Sequence, residues 1–370
     1  MLSLSDVDKD GLVNAVAKPF DSALKKTLSP KKKIPQVSST LGLARQLGLS
    51  EWTVSRAING HPEVKAATRE RILRAMEEFG FRPNPVARGL SGKGMGVVGV
   101  AYGMARNALM MEKITILDEF LRDNGLRGVL AICPPDEASQ IRILNDFKHL
   151  RVDGIVLVQS WVRTAELKKI LTGVRCVHVD NGTDELQPRV WLDRVKATRM
   201  ITEHLWELGH RSFGTFGFPR LVGARWEGIV EALDAFGVDA EAAVQAFELP
   251  DTGLESYGEG IRLAEMALSV RRCPTAILAV NDGVAAGAIQ GFRDRGIKVP
   301  DDISIVGFGN FEVGQFLRPR LTTIDQRPQL MMRLAGEMLL SQLGPRPKSE
   351  DNRLEPLLIV RDSSGPARGR

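Results

Sequence analysis

Residues 38–62, SSTLGLARQLGLSEWTVSRAINGHP, carry two short helical patterns on either side of a glycine. From Thr40 onward Leu43, Ala44 and Leu47 share one helical face, Gly48 breaks it, and Ser50 stands where the cap of a second helix belongs. That second helix is predicted over residues 51–59, with Val54 and Ile58 inward. A third is predicted over about 65–79, after the Pro62 turn, with Ile72, Met76 and Phe79 on one face and Gly80 at its end. A short helix, a tight turn and a second helix that opens with polar residues make the helix-turn-helix arrangement, whose second helix enters the DNA major groove by its N-terminal end. A generic helical hairpin shares this spacing. The exposed residue types favour DNA, because Arg56 can donate two bonds to guanine, Glu51 can accept from cytosine N4, and Trp52 offers an apolar edge to a thymine methyl. Thr53 and Ser55 could reach phosphates.

Charge is distributed in the same sense. The net charge of the 370 residues is +5, but residues 1–93 hold 16 Lys and Arg against 9 Asp and Glu, leaving 34 against 36 for the remainder. A basic N-terminal quarter on a near-neutral body suits a nucleic-acid module joined to a domain with another task, although a basic solvated tail would look alike. Residues 1–37 are polar, carry Pro19, Pro30 and Pro35, and include the run Lys31, Lys32 and Lys33; they read as a flexible basic arm.

Beyond residue 96, near-continuous apolar runs alternate with amphipathic stretches. Strands are expected at 97–101, 128–132, 154–158, 174–179, 213–217, 276–280 and 303–307, and helices at 114–122, 140–150, 164–171, 195–208 and 224–236. Such alternation means parallel sheets covered on both faces, here in two similar α/β lobes. Gly94, Gly96 and Gly99 satisfy the GxGxxG spacing of a dinucleotide site, yet they precede or enter the first apolar strand instead of linking a strand to a helix, so a nucleotide-cofactor enzyme is a minor alternative. Five scattered histidines, no GxSxG elbow and no HExxH helix leave no catalytic or metal constellation, and no cofactor is expected. Cys133, Cys176 and Cys273 are too few and too scattered for a disulfide framework; with an acidic start and no long apolar span, a cytoplasmic setting is expected. The tryptophans at 161, 191, 206 and 226 are expected to pack, not to form a cofactor box.

Residues 38–93 resemble the headpiece of the lac repressor and galactose repressor family in register, through Ser50, Thr53, Val54, Ser55, Arg56, Asn59, Arg82, Pro83 and Asn84. The resemblance continues through VDGIVL at 152–157, GHR at 209–211, Asn281 with Asp282, VPDDISIVGF at 299–308, PRLTTI at 319–324 and PLLIVRDSS at 356–364. It implies an all-α helix-turn-helix headpiece (38–83), a hinge helix and linker (84–95), and an α/β periplasmic-binding-protein-like core (96–364) of two doubly wound parallel-sheet lobes, followed by a short tail (365–370). Lobe 1 is expected at about 96–192 and 325–352, and lobe 2 at about 193–324 and 353–364, with crossings near 192, 324 and 352. The implied function is a homodimeric transcription regulator, most simply a repressor, that binds a near-palindromic operator and responds to a small molecule, a saccharide or related metabolite, between the lobes. A two-lobed sugar-binding protein without a regulatory role is the alternative, and it would have no use for residues 38–93.

The resemblance adds Asn84, Arg88 and Leu90 to the DNA-contacting set, Leu90 as the wedge that a hinge helix inserts in the minor groove. It marks Asp193, Arg225 and Asn281 as effector contacts. Each also has a plainer use: Asp193 as a helix cap, Arg225 in a surface ion pair, Asn281 in a turn. Three departures stand out. Gly42 replaces an Asp frequent in the family, the loop at 219–225 looks short, and Gly309-Asn310 follows Gly307-Phe308 where a ligand-gripping acid is usual.

Overall fold

The computed structural model describes residues 37, 39–58, 60–82, 94–103, 108–134, 136–160, 162–180, 185–218, 223–249, 256–344 and 350–368. Apart from Val37, which joins the headpiece core, and residues 94 and 95, the arm and the hinge expectations therefore lie outside the described residues. Two compact units emerge, Met1–Leu90 and Ser91–Arg370.

In the first unit, α1 (Thr40–Leu47) begins where the Ser39 hydroxyl accepts from the Gly42 amide at 3.0 Å and ends at Gly48, whose φ of 64° needs no Cβ. α2 (Glu51–Ile58) is capped by Ser50, which accepts from the Thr53 amide at 3.0 Å. α3 (Ala66–Glu78) closes the core. Leu43, Ala44, Val54, Ala57, Ile72 and Ala75 are buried between the helices, joined by Val37, Val64 and Phe81. Ile58, Met76 and Phe79, expected on the inward faces, pack against this cluster while only partly buried. Arg71 ties α3 to the end of α1 by donating to the Leu47 carbonyl at 2.7 Å.

The second unit holds two six-stranded sheets. The first is built from β1 (Val97–Gly103), β2 (Arg127–Cys133), β3 (Gly154–Val158), β4 (Cys176–Val179), β5 (Arg189–Leu192) and β11 (Asp351–Leu354), in the order β11-β5-β4-β3-β1-β2, all parallel. The second contains β6 (Phe213–Phe216), β7 (Val244–Phe247), β8 (Ala276–Ala279), β9 (Ser304–Phe308), β10 (Thr322–Asp325) and β12 (Leu357–Ile359), in the order β12-β10-β9-β8-β6-β7. Only β12 runs antiparallel. The same order in both sheets makes the lobes internal copies of one pattern, and the chain crosses between them at Asp193, after Asp325 and after Leu354.

α4 (Ala108–Asp123), α5 (Glu137–His149) and α6 (Thr164–Ile170) cover the first sheet. α7 (Arg194–Glu207), α8 (Gly223–Ala235), α9 (Ala240–Ala243), α10 (Tyr257–Ser269), α11 (Asp282–Asp294) and α12 (Val313–Phe316) belong to the second lobe. α13 (Pro328–Leu343) returns to pack on α4 and β3–β5. α10 and α11 meet backbone to backbone: a Cβ on Gly260 would fall 2.1 Å from the Val284 carbonyl oxygen, and one on Gly287 1.9 Å from that of Tyr257. Gly94 and Gly96 precede β1, where the Asp153 carboxylate accepts from the amides of Met95, Gly96 and Val97 at 2.8, 2.5 and 3.1 Å. Their spacing serves the entry to a strand, and no strand-to-helix turn of the dinucleotide kind exists there. Cys133 and Cys176 are buried free thiols, and Trp206 stacks on Phe236 at 4.6 Å.

His178, buried within β4, is held neutral by desolvation, its pKa pushed down to about 4. The unfolded chain takes up that proton near 6.5, so the stabilisation is complete above 6.5 and is lost as pH falls toward 4. Across that window His178 should withdraw about 3 kcal/mol of stability. Urea denaturation at stepped pH should show the loss, and His178→Gln should flatten it.

Candidate functional site

On α2, Val54 and Ala57 point into the three-helix core, which turns Glu51, Trp52, Ser55 and Arg56 to the opposite side. Glu51 and Trp52 are exposed, Trp52 by 63%. Ser50 and Thr53 are engaged with each other, their hydroxyls 2.7 Å apart at the helix start. The Arg56 guanidinium lies 3.8 Å from the Trp52 ring centroid and pairs with Glu63 in the turn before α3. An exposed helix face with a cation, an acid, an aromatic ring and a hydroxyl can read base edges. Asn59, Asn84, Arg88 and Leu90 lie outside the described residues.

In the second unit Asp193 occupies the first crossing. One carboxylate oxygen caps α7, accepting from the Lys196 amide at 2.9 Å, and the other pairs with Arg353 of β11. Asn281 caps α11 by accepting from the Val284 amide at 2.9 Å. Arg225, in the first turn of α8, places its guanidinium 4.8 Å from the Phe308 ring centroid and 5.9 Å from that of Phe218, and donates to the Val280 carbonyl at 3.5 Å. Arg225 and Asn281 thus meet at the C-terminal ends of the second lobe's strands, where open α/β sheets take ligands. Asp193 is tied instead to the strands that join the lobes.

The loop after β9 explains what replaced the missing acid. Gly309 has a φ of 141°, and a Cβ there would fall 2.4 Å from the Phe311 ring. The buried Phe311 fills that space, and its amide donates to Asp282 at 2.6 Å. Asp282 also accepts from the Thr323 hydroxyl at 2.5 Å. Burial pushes the Asp282 carboxyl up to about 6 in spite of these donors. Asn310 is pinned by Asp325 and by Arg361, at 3.2 and 2.7 Å.

A second charged group surrounds Asp180. Asp180 follows β4 and accepts from Lys113 of α4 at 2.6 Å, from Arg194 of α7 at 3.1 Å and from the Leu192 amide at 3.3 Å; Lys113 also donates to Gln326 beyond β10 at 3.4 Å. Burial opposes charge on Asp180, but Arg194 and Lys113 outweigh it and hold the carboxyl well below the usual range. No local spacing links residues 113, 180, 194 and 326, so nothing in the sequence pointed to this group.

Residues 42–84 match the model described as bacterial regulatory proteins, lacI family, and residues 202–364 match the periplasmic binding protein-like domain. Catabolite control protein A of Priestia megaterium is 31% identical over 291 residues, covering 77% of this chain and 86% of that protein. The chain belongs to the lacI family of bacterial regulatory proteins. As a lacI-family regulator it couples a DNA-binding headpiece to an effector-binding core. The HTH-type transcriptional regulator DegA of Bacillus subtilis (strain 168) is 30% identical over 338 residues, 88% of this chain and 97% of DegA. Among solved structures, the lac repressor dimer bound to operator and the anti-inducer ONPF has the same fold, with a TM-score of 0.76, 24% identity, and coverage of 88% of this chain and 99% of that one. The transcriptional regulator CelR in complex with cellobiose superposes with a TM-score of 0.60 at 26% identity, over 88% and 99%. No helix among the described residues is long and apolar enough to cross a membrane.

Lys113→Met should cost this regulator about 3–5 kcal/mol, because Asp180 stays buried and loses a partner. The double change Lys113→Met with Asp180→Leu should cost less than the single one. Urea unfolding of the two variants would reverse this order if the Lys113–Asp180 pair were solvated.

Proposed function

We propose that this regulator works as a homodimer on a near-palindromic DNA operator, that it most simply represses, and that a small molecule held between its lobes sets operator affinity. The observation that carries the reading is the outward face of α2, four functional side chains backed by a helix face committed to the core. Arg56 reads guanine, Glu51 a cytosine amine, and Trp52 a thymine methyl. Ser50, Thr53, Ser55 and Asn59 flank them toward the backbone, and Asn84, Arg88 and Leu90 serve a minor-groove hinge. The lac repressor structure, a dimer on operator, supports this mode of action.

Asp193, Arg225 and Asn281 are the proposed effector contacts. CelR with cellobiose supports a saccharide or related metabolite, while the Phe311 ring beside Gly309 means that no carboxylate from position 309 grips its hydroxyls. Regulation by binding, in the cytoplasm and without a catalytic step, is part of the same reading.

The dimer rests on β2. This edge strand leaves Val129, Leu130 and Ile132 exposed, Met111 on α4 is exposed too, and a bare apolar edge demands cover. A second copy that lays its own β2 there supplies it, as two-fold symmetry allows.

Arg56→Ala should lower discrimination at one base position per half-site by about 1–3 kcal/mol, measured on operators selected from a random duplex library. Equal losses on operator and scrambled DNA would remove Arg56 from the reading set. Leu130→Lys with Ile132→Lys should turn the dimer into a monomer in sedimentation and weaken operator binding; an unchanged dimer would place the interface elsewhere.

A further inference from the structure

We propose that Glu63 is a positioning residue for Arg56 and sets how sharply the recognition helix discriminates bases; this rests on the reading of α2 as the major-groove helix. Glu63 sits in the turn between α2 and α3, outside the helix that reads, and it pairs there with Arg56. The guanidinium is held from two sides, by the Glu63 carboxylate and by the Trp52 ring whose centroid lies 3.8 Å away. His61 joins the cluster: its Nδ1 lies 3.7 Å from the Glu63 carboxylate and accepts from the Glu63 amide at 3.4 Å.

A carboxylate on this surface works against DNA in general, since it meets the phosphates with like charge. Its benefit must come through what it touches. A guanidinium has five donors and a guanine edge needs two, so Arg56 can keep Glu63 on one nitrogen and offer the remaining donors to the base. Rotamer freedom that a long side chain would surrender on the operator is then already removed in the free protein. On random DNA the same pairing competes with phosphate for Arg56, which suppresses the contact an unrestrained arginine would make to any sequence. Glu63 therefore lowers affinity for all DNA and lowers it most where the base is wrong. An ion pair this exposed, with 66% of the Glu63 side chain in solvent, contributes little to folding, so the two roles separate cleanly.

The test uses the full chain. Operators are selected from a random duplex library, and binding of the selected and a scrambled duplex is measured across a salt series for the wild type, Glu63→Gln, Glu63→Asp, Arg56→Ala and Glu63→Gln with Arg56→Ala. Glu63→Gln should bind scrambled DNA about 3- to 10-fold tighter and lose about 5- to 10-fold of its preference at the base read by Arg56, with an unchanged melting temperature. Glu63→Asp, which keeps the charge but shortens the reach, should lose base preference without gaining affinity for scrambled DNA. In the Arg56→Ala background Glu63→Gln should leave base preference untouched. If Glu63→Gln tightens both duplexes by one common factor and keeps the base profile, Glu63 is a repelling charge and the proposal falls. A profile altered equally with and without Arg56 also overturns it. A wild type that enriches no sequence would refute DNA reading by α2 itself, a failure distinct from either of these.

Discussion

The buried carboxylate of Asp180 is the joint of the second unit. It lies at the end of a strand in the first lobe, yet its partners come from α4, from the backbone of the first crossing and from the opening turn of α7 in the second lobe. Desolvation alone would expel such a charge, so it persists because two cations and an amide reach it together. Any relative motion of the lobes must redistribute these contacts, since Arg194 travels with the second lobe and Lys113 with the first. Asp193, three residues beyond β4's neighbour Val190 on the way into α7, repeats the device with Arg353 and joins the first crossing to the third. Charge pairing recurs at the first and third crossings, beside the buried Leu192 and Leu354.

Periodicity disclosed the headpiece and the repeated α/β pattern because each rests on local chemistry. Ser50, Gly48 and the apolar positions 43, 44 and 54 report on their own neighbours, and the strands at 154–158 and 213–216 are apolar because both faces are covered. α10, α11 and α13 carry a weaker signature. In α11 the residues from Val284 to Phe292 are buried almost throughout, so no polar stripe remains to betray a helix, and its glycines suggest a loop. α4 starts at Ala108, earlier than the expected 114, because Leu109 and Met110 are buried and extend the apolar face.

The candidate sites were legible as residue types and not as partnerships. That position 309 lacks an acid is plain from the sequence, whereas the ring that occupies the vacated space comes from Phe311, two positions on, and needs the turn to bring it there. Asp193 has a helix cap as its plainer use and Asn281 a turn; both residues cap helices, each with one side-chain oxygen so engaged. On α2 the outward face followed from spacing, but the hold of Glu63 on Arg56 spans the end of one helix and the turn beyond it, which helical periodicity does not count.

The glycine seam between α10 and α11 has a mechanical meaning. With backbones touching at Gly260 and Gly287, no layer of side chains remains that could switch rotamers and absorb a push. Along this seam the second lobe is therefore a stiff lever, not a spring, and a force applied near Asn281 at the head of α11 passes to α10 with no rotamer change to soften it.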